Sequence, residues 1–219
     1  MAKQRLDKIL ASQNIGSRKE VVKLIKQGKV RVNLNIIKLQ DYKVDPVVDE
    51  IFIDGKKLEF KKYIYIMMNK PQGVVSASND KSQKTVLDLL PQHLRRRGLF
   101  PSGRLDKDTT GLLIITDDGD FAHKMLSPKK KIYKTYQAQL DKKIGDKEIA
   151  LFKAGIKLSD DILCLPAYLS IIEDGDNPIV DIKICEGKFH QVKRMFKSVG
   201  ATVLSLKRKQ IGKLMLDPN

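Results

Sequence analysis

Only two cysteines, Cys164 and Cys185, occur in 219 residues. They allow one bridge at most and lack the Cys-x-x-Cys spacing of a structural zinc site, a usage that suits a reducing cytoplasm. The three histidines, His93, His123 and His190, are too far apart in sequence to suggest a metal centre. Neither a His-Glu-x-x-His helix nor a Walker loop is present, so no metal and no nucleotide cofactor are expected. Long apolar runs are also missing. None approaches the ~20 residues of a bilayer span, and Met1 to Leu10 has no signal-peptide core, which argues against a membrane or secreted protein. Acidic residues are few: 26 Asp and Glu face 42 Lys and Arg, leaving a net charge of +16. A surface that repels itself this strongly suits a polyanionic partner, and nucleic acid leads. What is present in quantity is core-forming material. At 42% hydrophobic and 31% charged residues the composition is that of a globular protein, and the length suits a small module plus a larger one.

Leu6, Ile9 and Leu10 recur at helical spacing before Gly16 interrupts them. Ser17-Arg18-Lys19-Glu20 then reads as a capping box opening a second helix, with Val21, Val22, Leu24 and Ile25 as its buried stripe. Gln27-Gly28 ends that helix, and Val30, Val32 and Leu34 alternate with Lys29, Arg31 and Asn33 as a half-buried strand would. Residues 1–31 carry nine basic side chains against Asp7 and Glu20. Arg5, Arg18, Lys19, Lys23, Lys29 and Arg31 are therefore candidate phosphate contacts, the plain alternative being a solvated helix face. From Arg5-Leu6-Asp7 through Ser17-Arg18-Lys19-Glu20 to Gly28-Lys29-Val30-Arg31-Val32-Asn33 the segment resembles the S4-type RNA-binding domain. Leu34 departs from the glycine usual after the Val-Asn pair.

From Lys61 onward the pattern changes to strands and short helices, so a boundary is expected near residue 60. Strand-like runs fall at 63–68, 112–116, 132–140, 168–172, 178–186 and 202–206, and 69–73 reads as a turn. The expected fold class is α+β: a small S4-like α/β module over 1–60, then a mixed, largely antiparallel sheet domain over 61–219. Arg95-Arg96-Arg97 and Lys129-Lys130-Lys131 are single-sign clusters that would position RNA by its phosphates.

Polar groups concentrate in Gly103-Arg104-Leu105-Asp106-Lys107-Asp108-Thr109-Thr110-Gly111, directly before the apolar run Leu112-Leu113-Ile114-Ile115. Local pattern alone permits a capped turn. The offsets of Asp106, Asp108, Thr110, Gly111 and Asp117 also touch those of a calcium loop, although no helix enters it and the last position is not Glu. Taken with Asn69-Lys70-Pro71-Gln72-Gly73, Lys134-Thr135-Tyr136 and Glu186-Gly187-Lys188-Phe189-His190-Gln191-Val192-Lys193-Arg194-Met195-Phe196, this run resembles the pseudouridine synthases. Within them it is most similar to the RsuA-like small-subunit type, and the resemblance spans essentially the whole chain. Family members usually continue into another strand and short helix, whereas this sequence stops at Asn219.

The resemblance implies isomerisation of a uridine in folded small-subunit (16S) rRNA, at the position 516 type of site, free or in a ribosome assembly intermediate. The bond from C1′ to N1 breaks and C5 is joined to C1′, with no cofactor consumed. Asp106 matches the catalytic carboxylate, which must be ionised to attack C1′ or to take a ribose proton. Lys193 is the expected neighbouring cation, with Arg194 as the fallback. Tyr136, inward on its strand, would face the uracil and help remove the C5 proton. The target must leave the stack, and Arg104 would fill the vacated space or touch adjacent phosphates. His190 and Gln191 are expected RNA contacts and mark the small-subunit branch. A non-catalytic ribosome-binding or assembly factor and a large-subunit rRNA synthase are the contrasting readings. Nothing in the sequence requires more than a monomer.

Overall fold

In the computed structural model, which describes residues 2–217, the chain divides into two compact units. The first comprises residues up to Ile64 together with Leu90–Leu99, and the second comprises Tyr65–Leu89 and the chain from Phe100 onward. The 90–99 segment is thus a departure from a single boundary near residue 60. Its arginines explain the difference: Arg96 donates to the carbonyls of Lys61 and Lys62, and Arg95 to that of Leu90. Both have part of their donor capacity taken up by main-chain acceptors.

The first unit contains β1 (Gln4–Arg5), α1 (Leu6–Ser12), α2 (Arg18–Lys26), β2 (Val30–Val32), β3 (Asn35–Ile36), β4 (Lys43–Val44), β5 (Ile51–Ile53) and β6 (Lys56–Lys57). α2 starts where its capping box stands, with Ser17 Oγ accepting from Glu20 N and the Glu20 carboxylate accepting from Ser17 N at 2.6 Å. Leu6, Ile9, Leu10, Val21 and Ile25 bury their side chains against Val30, Val32 and Ile51 of the sheet β3-β2-β5-β6. Each such side chain contributes roughly 1.5–3 kcal/mol. β2 stops at Val32 because Asn33 turns left-handed (φ 53°), so β2 and β3 close a two-residue hairpin through Asn33-Leu34. Leu34 is consequently 90% exposed at the tip, not a strand residue.

The second unit holds β7 (Tyr65–Lys70), β8 (Phe100–Ser102), β9 (Thr110–Thr116), α3 (Gly119–Leu126), β10 (Lys134–Leu140), α4 (Asp146–Ala154), β11 (Tyr168–Glu173), β12 (Ile179–Ile184), α5 (Gln191–Ser198), β13 (Val203–Ile211) and β14 (Leu214–Met215). Their sheet has the order β11-β12-β10-β13-β9-β7, with β14 on β13 and β8 on β9. Every pairing is antiparallel except β13 with β9, so the sheet is mixed and largely antiparallel, as expected. The parallel contact sets Arg208 beside Gly111. Gly111 has φ 101°, and a Cβ there would lie 2.3 Å from the Arg208 carbonyl oxygen, so this approach requires glycine.

Two strands are longer than the sequence suggests. β7 continues through Asn69 and Lys70, leaving only the following residues to turn, and β13 runs five residues past Leu206. α4 and α5 cover one area of sheet. Phe152 and Phe196 meet at 5.0 Å between ring centroids, and Val192 and Met195 complete a stripe against Ala138, Leu140, Val180 and Ile182.

Candidate active site

The loop from Gly103 to Thr109 connects β8 to β9 and is held from beneath by a lysine. Lys70, at the end of β7, is fully buried, and its ammonium donates to four carbonyl oxygens: Thr109 at 2.8 Å, Asp106 at 3.0 Å, Pro71 at 3.1 Å and Lys107 at 3.3 Å. Burial pushes its pKa down, while the carboxylates of Asp108 and Asp106 act against that shift. Ser76 clamps the other side of the loop, its hydroxyl donating to the Leu105 carbonyl and accepting from Leu105 N. Gly73 N adds a bond to the Lys107 carbonyl. With its backbone tied at these points, the loop projects the Asp106 side chain into an open cavity of about 660 Å³.

Across the cavity stands the start of α5, preceded by His190 in the left-handed conformation. Lys193 Nζ lies 3.6 Å from Asp106 Oδ2, and His190 Nε2 lies 3.5 Å from Oδ1, an ion pair when the imidazole is protonated. Lys193 has a second and closer acceptor, Asp108 Oδ1 at 2.6 Å. That bond, together with the charge behind it, holds the Asp108 carboxyl below the usual carboxylate range. The expected Lys193–Asp106 partnership is therefore a shared one. Asp108, which sequence reasoning left without a role, carries half of it.

Tyr136 lines the same cavity on β10, as its strand position implies. Its hydroxyl receives a weak bond, 3.4 Å, from Arg208 Nη1. Arg104 is exposed at the rim with no ion-pair partner among the described residues. Lys129, Lys130 and Lys131 are exposed just after Pro128, itself a cavity residue.

Two expected contacts are committed elsewhere. Gln191 is buried and folds back on its own loop, donating to Glu186 Oε1 at 2.7 Å and accepting from Lys188 N at 2.9 Å. These bonds fix it to the loop, at the edge of the cavity that it also lines. Arg194 pairs with Asp160 and donates to the Phe189 carbonyl. In the first unit Arg18, Lys19 and Lys23 are exposed on α2. Arg5 forks onto the buried Asp7 at 3.0 and 2.9 Å, Lys29 is 3.7 Å from Asp54, and Arg31 stacks its guanidinium 3.7 Å from the Phe52 centroid. These last three have part of their hydrogen-bonding or stacking capacity taken up within the fold.

A carboxylate facing Lys193 and His190, an aromatic wall and a cavity large enough for a nucleoside suit breaking and remaking a bond at a sugar carbon. Comparison with known proteins agrees with that chemistry. A family profile described as RNA pseudouridylate synthase matches residues 64–198, and the S4 domain matches residues 4–51. An uncharacterised RNA pseudouridine synthase of Bacillus subtilis, YtzG, is 44% identical over 215 residues, covering 98% of this chain and 90% of that protein. Ribosomal small subunit pseudouridine synthase A of Vibrio cholerae is 40% identical, covering 97% and 90%. Ribosomal large subunit pseudouridine synthase B of B. subtilis is 38% identical, covering 97% and 87%. A crystal structure of a pseudouridylate synthase superposes with a TM-score of 0.65 at 36% identity, covering 98% of this chain and 91% of its own.

Proposed function

Because the chain belongs to the RNA pseudouridylate synthase family and is an rRNA pseudouridine synthase, we propose that its substrate is one uridine of small-subunit rRNA, at the site corresponding to position 516 of 16S rRNA. The observation that carries the chemistry is the Asp106 carboxylate at the cavity, on a loop whose backbone is fastened by Lys70 and whose side chain faces Lys193 and His190.

The reaction begins with the uridine out of its stack, because Asp106 cannot reach C1′ of a paired nucleotide; extrusion costs a few kcal/mol. Arg104 occupies the gap or holds the flanking phosphates. Asp106 then attacks C1′, or takes a ribose proton to give a glycal, and either route needs the ionised carboxylate. Lys193 supplies the opposing charge and fixes the carboxylate's direction. Tyr136 forms the wall along which uracil turns and assists loss of the C5 proton. The exposed lysines 129–131 and the basic α2 face of the S4 unit, through Arg18, Lys19 and Lys23, hold phosphates without reading sequence. A cytoplasmic monomer acting on rRNA or an assembly intermediate fits this reading. Among the described residues no helix is long and apolar enough to cross a membrane.

The choice of the small subunit rests on the His190-Gln191 pair and on the small-subunit relatives. The large-subunit relative, of similar identity, makes the competing target specific. Carbodiimide-blocked primer extension on 16S and 23S transcripts incubated with the protein separates them. A new stop in 16S alone is expected. A stop in 23S alone would overturn the subunit choice, and none in transcripts or in subunit precursors would overturn the reading.

A further inference from the structure

Two cations that the chemistry above leaves without a task lie in the wall of the same cavity. Lys134 begins β10, two residues before Tyr136 on the same face, and Arg208 sits on the paired strand β13, registered with Tyr136. Both line the cavity, and both are at least 95% buried. No described residue forms an ion pair with either side chain. Arg208 uses Nε on the Leu112 carbonyl at 2.7 Å and Nη1 on Tyr136 Oη, while its Nη2 is buried with no acceptor among the described residues. The Lys134 ammonium has no acceptor among the described residues. Burial, and then the neighbouring Arg208, push the Lys134 pKa down. Burying an unpaired charge costs several kcal/mol, so a fold that keeps two of them in the wall of the cavity that also holds the Asp106 carboxylate implies an anion that is present only part of the time.

Resting on the function proposed above, we infer that Lys134 and Arg208 form the anion-stabilising wall for the departing uracil, as catalytic residues for cleavage of its bond to the sugar. When the C1′–N1 bond breaks, its electron pair passes to N1 and the negative charge spreads over O2 and O4. The base then turns, and the pair forms the new C5–C1′ bond as the Asp106 oxygen leaves C1′ or, on the glycal route, as the ribose proton is returned; the C5 proton leaves and N1 gains one. Between those bonds the base is a monoanion in the cavity. Prearranged cations held by the fold stabilise such a developing charge without reorganising, the same logic as an oxyanion hole. Arg208 has only donors, so its bond to Tyr136 obliges the phenol oxygen to accept and leaves the phenolic hydrogen free to point elsewhere. The two cations and the aromatic wall therefore belong to one arrangement around the base, opposite in charge to the Asp106 arrangement around the sugar.

The test uses the full chain and whichever rRNA transcript the wild type modifies, made with uridine or with 5-fluorouridine. Fluorine at C5 makes the detached base a more stable anion, so it needs the cations less. Lys134→Met keeps the volume of the buried stem and removes the charge. In single-turnover reactions followed by nuclease digestion and chromatography, Lys134→Met is expected to slow loss of uridine about 100-fold, and loss of 5-fluorouridine by about tenfold or less. Because the comparison is a ratio within one variant preparation, partial misfolding cancels. Equal losses on the two substrates, or a variant as fast as wild type, would overturn the inference while leaving the enzyme reading intact. A C5-deuterium isotope effect on uridine that appears in the variant and is absent from wild type would also overturn it, by placing the cations at proton removal through Tyr136. No conversion by the wild type itself would strike the functional reading instead.

Discussion

Replacing Lys70 with Met tests whether the ammonium, rather than the apolar stem, holds the loop that carries Asp106. The side chain is fully buried and donates to the carbonyls of Pro71, Asp106, Lys107 and Thr109. Hydrogen bonds from a charged donor contribute about 1.5–3 kcal/mol each, and four would exceed what one lysine can deliver once its own desolvation is subtracted. That desolvation is what pushes the Lys70 pKa down. Methionine preserves the packing but leaves buried carbonyls without their donor, at about 1–3 kcal/mol for each one left unsatisfied, or about 3–5 kcal/mol for the group after partial relaxation. With a urea dependence of about 2 kcal/mol/M, the midpoint for the second unit should fall by roughly 1.5–2.5 M, followed by far-ultraviolet circular dichroism. Turnover should fall about 100-fold even well below the unfolding transition, because a carboxylate displaced by about 1 Å loses that much. A midpoint within about 0.3 M of wild type, with turnover within a few-fold, would refute the reasoning and reduce Lys70 to a space-filler.

Other expected outcomes follow from the same geometry. Lys193→Met should lower turnover about 100-fold, whereas Asp108→Asn, which removes the closer acceptor and leaves the ammonium to Asp106, should stay within a few-fold; equal losses would contradict the shared-partner description. The Arg5 hydrogen bonds hold the Asp7 carboxyl below the usual carboxylate range. Its folded pKa is therefore lower than its unfolded one, and the stabilisation is present above about pH 4 and lost as pH falls through the folded value. Asp7→Asn should accordingly lower the melting temperature of the first unit at neutral pH and reduce its acid dependence. A melting curve as acid-sensitive as wild type would assign that dependence elsewhere. Changing Lys129, Lys130 and Lys131 together to Gln should flatten the slope of log affinity against log salt by up to about 2–3, read by filter binding to rRNA; an unchanged slope would remove them from the phosphate interface.

Sequence and structure agree where the determinants are local. Ser17 and Glu20 satisfy each other's backbone within one turn, so the start of α2 is legible from four residues. Val192, Met195 and Phe196 are spaced for one helix face, and that face is the buried one. The placement of Asp106 with Lys193 and Tyr136 was reached through the motif resemblance, because 87 residues separate Asp106 from Lys193 in sequence and only the fold brings the three to one cavity. Lys70 could not be read as buried: a lysine before Pro-Gln-Gly looks like a solvent-facing turn residue, and the carbonyls that bury it come mainly from the loop after Ser102. Arg208 was missed because the apolar alternation of β13 fades after Leu206, while the strand is extended by pairing with β10. The one local hint was Gly111, whose missing Cβ makes room for the Arg208 backbone. Gln191 shows the converse, a polar residue inside a functional motif whose hydrogen bonds serve the loop itself.

The central claim is that the Asp106 carboxylate performs the chemistry while other groups supply the grip. Asp106→Asn tests it with one near-isosteric change, assayed by release of tritium from C5 of labelled uridine in an rRNA transcript that the wild type modifies, alongside affinity for the same transcript. The account predicts no detectable release with affinity within a few-fold of wild type, since one charge is small against +16. Release near the wild-type rate would contradict it.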